Sequence, residues 1–143
     1  MNPKILVGVI GIFTVLLGVL GLFYPTQAMQ LVGFGYTNPQ NVPGTHGEVR
    51  AIYGGLMIVA GIFTLLAAPD PRANQGRLML IGLLWIGACS GRMLGVFVDG
   101  NPGVVGWLSA VTEILGGGAL LYASQIAPAF SASSSDDIPP IVN

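Results

Sequence analysis

Leu78–Ile126 reads LMLIGLLWIGACSGRMLGVFVDGNPGVVGWLSAVTEILGGGALLYASQI. Two apolar runs, 78–98 and 104–126, flank the turn Asp99-Gly100-Asn101-Pro102-Gly103. Each is about as long as the roughly 20 residues needed to cross about 30 Å of hydrocarbon. In lipid a segment must satisfy its backbone hydrogen bonds internally, so each run is predicted to be a helix. The glycine- and proline-rich turn makes the two helices antiparallel neighbours. Each run carries one interior charge of opposite sign, Arg92 and Glu113. A charge at the bilayer centre costs roughly 2.5–3.5 kcal/mol even on lenient insertion scales, so such groups face inward and pair.

The rest of the chain agrees with a membrane setting. Of 143 residues, 52% are hydrophobic and 8% charged, whereas a soluble domain carries about a quarter charged residues. Eleven charges could not cover a soluble surface of this size. A net charge of −1 provides no field for nucleic acid. With one cysteine, Cys89, and one histidine, His46, the usual multi-ligand metal site and an internal disulfide are both excluded. No metal and no cofactor is expected.

Two further runs, 5–23 and 49–68, complete four predicted spans and an all-α, antiparallel four-helix bundle over residues 1–126. The first run is longer than the apolar stretch of a signal peptide and has only a weak cleavage-like site, so it is read as a retained helix. Tyr24-Pro25 ends the first helix and Pro69-Asp70-Pro71 the second. Between them, Ala28–Phe34 suits either a short interfacial helix or an irregular capping loop. Residues 127–143 form a polar tail rich in Ser, Asp and Pro, which alone should be disordered and is expected to be held by another chain. Lys4, Arg72 and Arg77 lie toward one end of the bundle and Arg50 toward the other, which places both termini in the cytoplasm of a multi-pass bacterial inner-membrane protein.

Helices in lipid associate through small residues. Gly8, Gly11, Gly18 and Gly21 mark such a face on the first helix, Gly54, Ala60 and Gly61 on the second, Gly87, Gly91 and Gly95 on the third, and Gly106, Ala110 and Gly117 on the fourth. All four stripes are expected to pack inside the bundle. Arg92 and Glu113 share these faces, so a bidentate bridge between them is expected. Trp107 suits the aromatic belt at the membrane interface, and Trp85 is either a packing or a lipid-facing ring. His46 is expected in an interfacial loop. Glu48, Arg50 and Tyr53, at the start of the second helix, are expected to extend the bridge into a network summing to zero charge, with Asp99 at its rim.

The stretch Glu48-Val49-Arg50-Ala51-Ile52-Tyr53-Gly54-Gly55 resembles the signature of small bacterial four-helix integral membrane proteins catalogued as a domain of unknown function. Arg92, Asp99-Gly100-Asn101-Pro102 and Glu113 fit the same pattern over roughly residues 5–126. The resemblance implies a four-helix membrane protein with these polar residues at its centre, and it supplies no activity.

No nucleophile with a base, metal set or phosphate loop is present, so no catalysis is expected. The favoured role is a non-catalytic accessory or structural subunit of a larger membrane protein complex, with membrane lipids and other membrane subunits as partners. The alternative is a binding protein or small transporter for a lipid, a quinone or a proton at the polar cluster. Four helices are few for alternating access by inverted repeats.

Overall fold

The structure, a computed structural model, describes residues 2–33 and 42–126. Phe34 and the tail 127–143 lie outside the described residues, so the expectation that a partner holds the tail has no structural counterpart here. The described residues form five helices and no strand: α1 (Pro3–Phe23), α2 (Pro25–Leu31), α3 (Val42–Ala67), α4 (Gln75–Asp99) and α5 (Gly103–Ile126). All but α2 are long and apolar enough to span a membrane. Only 22–28% of the most apolar stretch of each span is buried within the chain. The remainder, including Ile5, Leu16, Leu80, Leu83 and Leu115, turns outward. In water this surface would be untenable; against lipid it is what a span requires.

Local sequence sets the helix ends. Asn2 accepts the Lys4 backbone N–H on its Oδ1 (3.0 Å) and Pro3 opens α1. At its far end the Tyr24 N–H closes onto the Leu20 carbonyl, and Pro25 starts α2. Two exposed arginines complete helix C-termini. Arg50 Nε donates to the Leu22 carbonyl of α1 (3.2 Å), and Arg72 Nη1 donates to the Gln125 carbonyl of α5 (2.8 Å). Each places a cation on carbonyls that have no intrahelical partner. In the α4–α5 turn, Asn101 Oδ1 accepts from the Gly103 N–H (3.0 Å) and from Trp107 Nε1 (3.2 Å), while Gly100 and Gly103 take positive φ.

Helix α3 begins at Val42, about two turns before the predicted start at residue 49. Its first turns are too polar for hydrocarbon, but polarity does not stop a helix once it has left the membrane. His46 therefore lies on a helix rather than in a loop, with Nε2 3.2 Å from Thr26 Oγ1 on α2. Within α3, Arg50–Leu56 is a π-helical stretch. Val49 and Gly54, five residues apart, are both buried because of it. Regular α spacing resumes along Gly61, Thr64 and Ala67.

The four spans close a ring in which α1 packs on α3, α3 on α4, α4 on α5, and α5 back on α1. The tight contacts are within the two pairs α1–α3 and α4–α5. In the first pair, Gly11, Gly18 and Gly21 face Gly54, Ile58, Gly61 and Leu65 at backbone contact. A side chain on Gly21 would collide with the Tyr53 carbonyl, and one on Gly61 would come within 2.7 Å of the Val15 backbone nitrogen. Thr14 and Thr64, fully buried, return their hydroxyls to the Ile10 and Ala60 carbonyls of their own helices (2.7 and 2.8 Å). In the second pair Gly82 and Gly117 meet.

Three of the four expected small-residue faces thus pack inside, although Gly8 contributes no contact. The fourth does not. A methyl group on Gly87 or Gly91 of α4 would meet nothing within 4 Å, and one on Gly95 would meet only Asp99 of its own helix. The face of α4 turned inward is instead that of Leu78, Gly82, Trp85 and Cys89. It wins because a tryptophan and aliphatic side chains fill the gap to the other helices, which a strip of glycines cannot do. Trp85 is therefore a packing ring.

Two buried clusters hold opposite ends of the bundle. One joins Val7, Ala67, Leu78, Ile81, Trp85, Leu120 and Ala123 near the α3–α4 turn. The other joins Ala28, Met29 and Val49, with Leu20 and Tyr53 against it, beneath α2. Gly21→Leu should lower the melting temperature of the detergent-solubilised chain, since overpacking at backbone contact costs about 1–3 kcal/mol. Gly87→Ala should leave it unchanged or raise it, because alanine is favoured over glycine in a helix by about 1 kcal/mol.

Candidate functional site

The site is built on the α4–α5 hairpin. Gly82 opposite Gly117 and Cys89 opposite Ala110, where the thiol lies 3.6 Å from the carbonyl, define one register. In that register Arg92 lies opposite Trp107, and Glu113 sits six residues deeper, about 9 Å along the axis at 1.5 Å per residue. Side chains lean toward the N-terminus of their own helix. In an antiparallel pair this sends Arg92 away from the turn and Glu113 toward it, so the two converge. Arg92 Nε donates to Glu113 Oε2 at 3.2 Å and Nη2 to Oε1 at 2.7 Å. The expected bidentate bridge is present, with side-chain exposures of 24% for Arg92 and 11% for Glu113.

The bridge uses two of the three guanidinium nitrogens. Among the described residues no buried side-chain nitrogen or oxygen lacks a partner. Nη1, which makes no hydrogen bond among the described residues, is therefore not fully buried. Two half-open clefts meet at the ion pair, and both are lined by Tyr53, Met57, Trp85, Arg92 and Glu113. One, of about 440 Å³, runs between α3 and α4. The other, of about 510 Å³, lies among α1, α2 and α5. Both fall within the size range of small-molecule sites, and apolar side chains make most of their walls.

The remaining predicted members are distributed differently. Tyr53 is half-buried and shares both clefts with the ion pair. Glu48, Arg50 and Asp99 are exposed, and none of them bonds to the bridge. The expected four-charge network is thus corrected to one ion pair with a tyrosine beside it. The cause is the π-helical stretch, which brings Tyr53 to the cleft while Arg50 reaches back to cap α1. The clefts themselves had no signature in the sequence, because they arise where the two tight helix pairs meet less closely. Among the described residues no three His, Cys, Asp or Glu side chains gather as a potential metal site.

A family model described as a domain of unknown function, DUF4345, matches residues 3–124, and the chain belongs to that family. The match covers all but the last two residues of the bundle and agrees with the expectation of an uncharacterised family. No curated protein and no solved structure matches the chain.

Removing one member of the bridge should be costly, because it strands a charge in a low-dielectric setting. Arg92→Ala is expected to lose about 3–5 kcal/mol of stability. Arg92→Met combined with Glu113→Met, which removes both charges and restores volume, should recover most of it. Thermal unfolding in detergent and the steady-state amount in the membrane are the measurements. A double variant no better than the single one would contradict the pairing.

Proposed function

We propose that this multi-pass membrane protein performs no catalysis and serves as a small accessory or structural subunit of a larger assembly in the bacterial inner membrane, with both termini cytoplasmic. One observation carries the reading. The stripe Gly87-Gly91-Gly95 lies on the outside of α4, uncovered by any described helix of its own chain. Four-residue spacing of glycines lets two helix backbones approach closely in lipid, which is the main way spans recognise each other there. The glycine faces of the other three spans are engaged within the bundle, and this one is left for a helix of another membrane subunit. The orientation is supported by Lys4, Arg72 and Arg77 at one end against Arg50 at the other.

A second reading, a membrane-embedded binding protein, is favoured by one specific feature: a guanidinium nitrogen, not fully buried, at the junction of two apolar clefts.

Purification of the tagged chain in a mild detergent, followed by mass spectrometry of what accompanies it, tests the first reading. A stoichiometric membrane protein is expected. Gly87→Leu with Gly91→Leu should not lower the melting temperature, since a Cβ at either position meets nothing within 4 Å in its own chain, yet should abolish co-purification. Retention of the partner by that variant, or recovery of the chain alone from native membranes, would refute the role.

A further inference from the structure

We propose that the cleft between α3 and α4 binds a neutral, lipid-soluble carbonyl compound of the quinone class, with its ring oxygen on Arg92 Nη1 and its hydrocarbon tail leaving sideways into the bilayer. This rests on the second reading above and adds the ligand's chemistry.

Three observations select that class. The first is the mouth. The α3–α4 cleft is flanked by Ile52, Leu56 and Leu84, which are 49%, 57% and 56% exposed. In a span these residues face lipid, so a ligand enters from hydrocarbon and must itself be lipid-soluble.

The second is depth. Arg92 lies seven residues from the end of α4 at Asp99, about 10 Å along the axis. A polar group bound there sits beneath the headgroup layer. A phospholipid would have to drag its phosphate out of the interface to reach it, whereas a quinone ring already resides in the hydrocarbon region.

The third is charge. Arg92 and Glu113 neutralise each other at 2.7 Å. An anionic headgroup brought to Nη1 would gain the guanidinium but meet the Glu113 carboxylate beside it. A neutral carbonyl oxygen accepts the hydrogen bond without that repulsion. Trp85 on α4 supplies a flat apolar wall for a ring, and Met57 across the cleft is a side chain that adapts its shape to what it packs on. This cleft is preferred over its neighbour because two long helices, α3 and α4, form nearly all of its wall.

Trp85 also reports on occupancy, since quinones quench indole fluorescence. The chain has two tryptophans, and Trp107→Phe leaves Trp85 as the only one. That protein, reconstituted in phosphatidylcholine nanodiscs, is titrated with decylubiquinone and, separately, with decylbenzene. Saturable quenching is expected for the quinone, with an affinity about tenfold or more above that of binding for the hydrocarbon, measured by competition, as one charge-assisted hydrogen bond provides. Arg92→Met with Glu113→Met should erase that difference. Ala88→Phe, which fills this cleft, should abolish binding, while Thr112→Phe, which fills the other, should not. Should the double variant fail to fold, these two aromatic substitutions decide the matter by themselves. Equal affinity for quinone and hydrocarbon, or insensitivity to Ala88→Phe, overturns the proposal. Displacement of the quinone by phosphatidylglycerol but not by decylbenzene overturns the neutral-ligand assignment while sparing the binding reading. Absence of saturable binding by any of the three compounds removes both.

Discussion

Backbone contact at glycine is the constraint on which this bundle depends. Water pushes the helices of a soluble protein together, but lipid tails are as apolar as leucine and supply no comparable drive. Helices in a bilayer hold one another through dispersion and through polar contacts, and dispersion is strong only at short range. The α1–α3 pair meets this requirement with Gly11, Gly18 and Gly21 against Gly54 and Gly61, the α4–α5 pair with Gly82 against Gly117. The buried Thr14 and Thr64 are tolerated in the first seam because each returns its hydroxyl to its own helix. Every other feature is arranged around these two closely packed pairs.

The ion pair follows from one of them. Once the Asn101 turn and the glycine register have set α4 against α5, the backward lean of side chains brings Arg92 and Glu113 together from opposite directions. Such a bridge is weak evidence for stability, because the cost of desolvating two charges can equal their attraction. Its value here is geometric. It joins α4 to α5 at one register, and it holds a guanidinium at the place where the two helix pairs part and leave clefts. The clefts are packing defects that border this pair of charges.

The ion pair was legible because a charge inside an apolar run has few permitted solutions, and the short turn left only one partner at the right depth. Glu48 and Arg50 lie near a helix end, where water, headgroups and free carbonyls all compete for them. Arg50 found the Leu22 carbonyl, and no residue pattern distinguishes that outcome from a salt bridge. The π-helical stretch was equally silent, since Arg50-Ala51-Ile52-Tyr53-Gly54-Gly55-Leu56 holds no proline and glycine is common in regular membrane helices too. Within it Gly54 packs on the backbone of Leu22, a contact between distant parts of the chain.

By itself, then, the sequence determined the four spans, their alternating directions and the pairing of Arg92 with Glu113. These rest on hydrocarbon thickness, backbone hydrogen bonding and the cost of an unpaired charge, all of which act along one segment or one hairpin. Tertiary structure alone decided which glycine faces turn inward, where Arg50 and Tyr53 go, and that clefts remain beside the ion pair. A stripe of small residues has the same pattern whether it faces a helix or lipid. The choice for α4 was made by Gly82, Trp85 and Cys89 fitting against the other helices, leaving Gly87 and Gly91 outside. Complementarity of shape belongs to two surfaces at once, so no single segment can encode it.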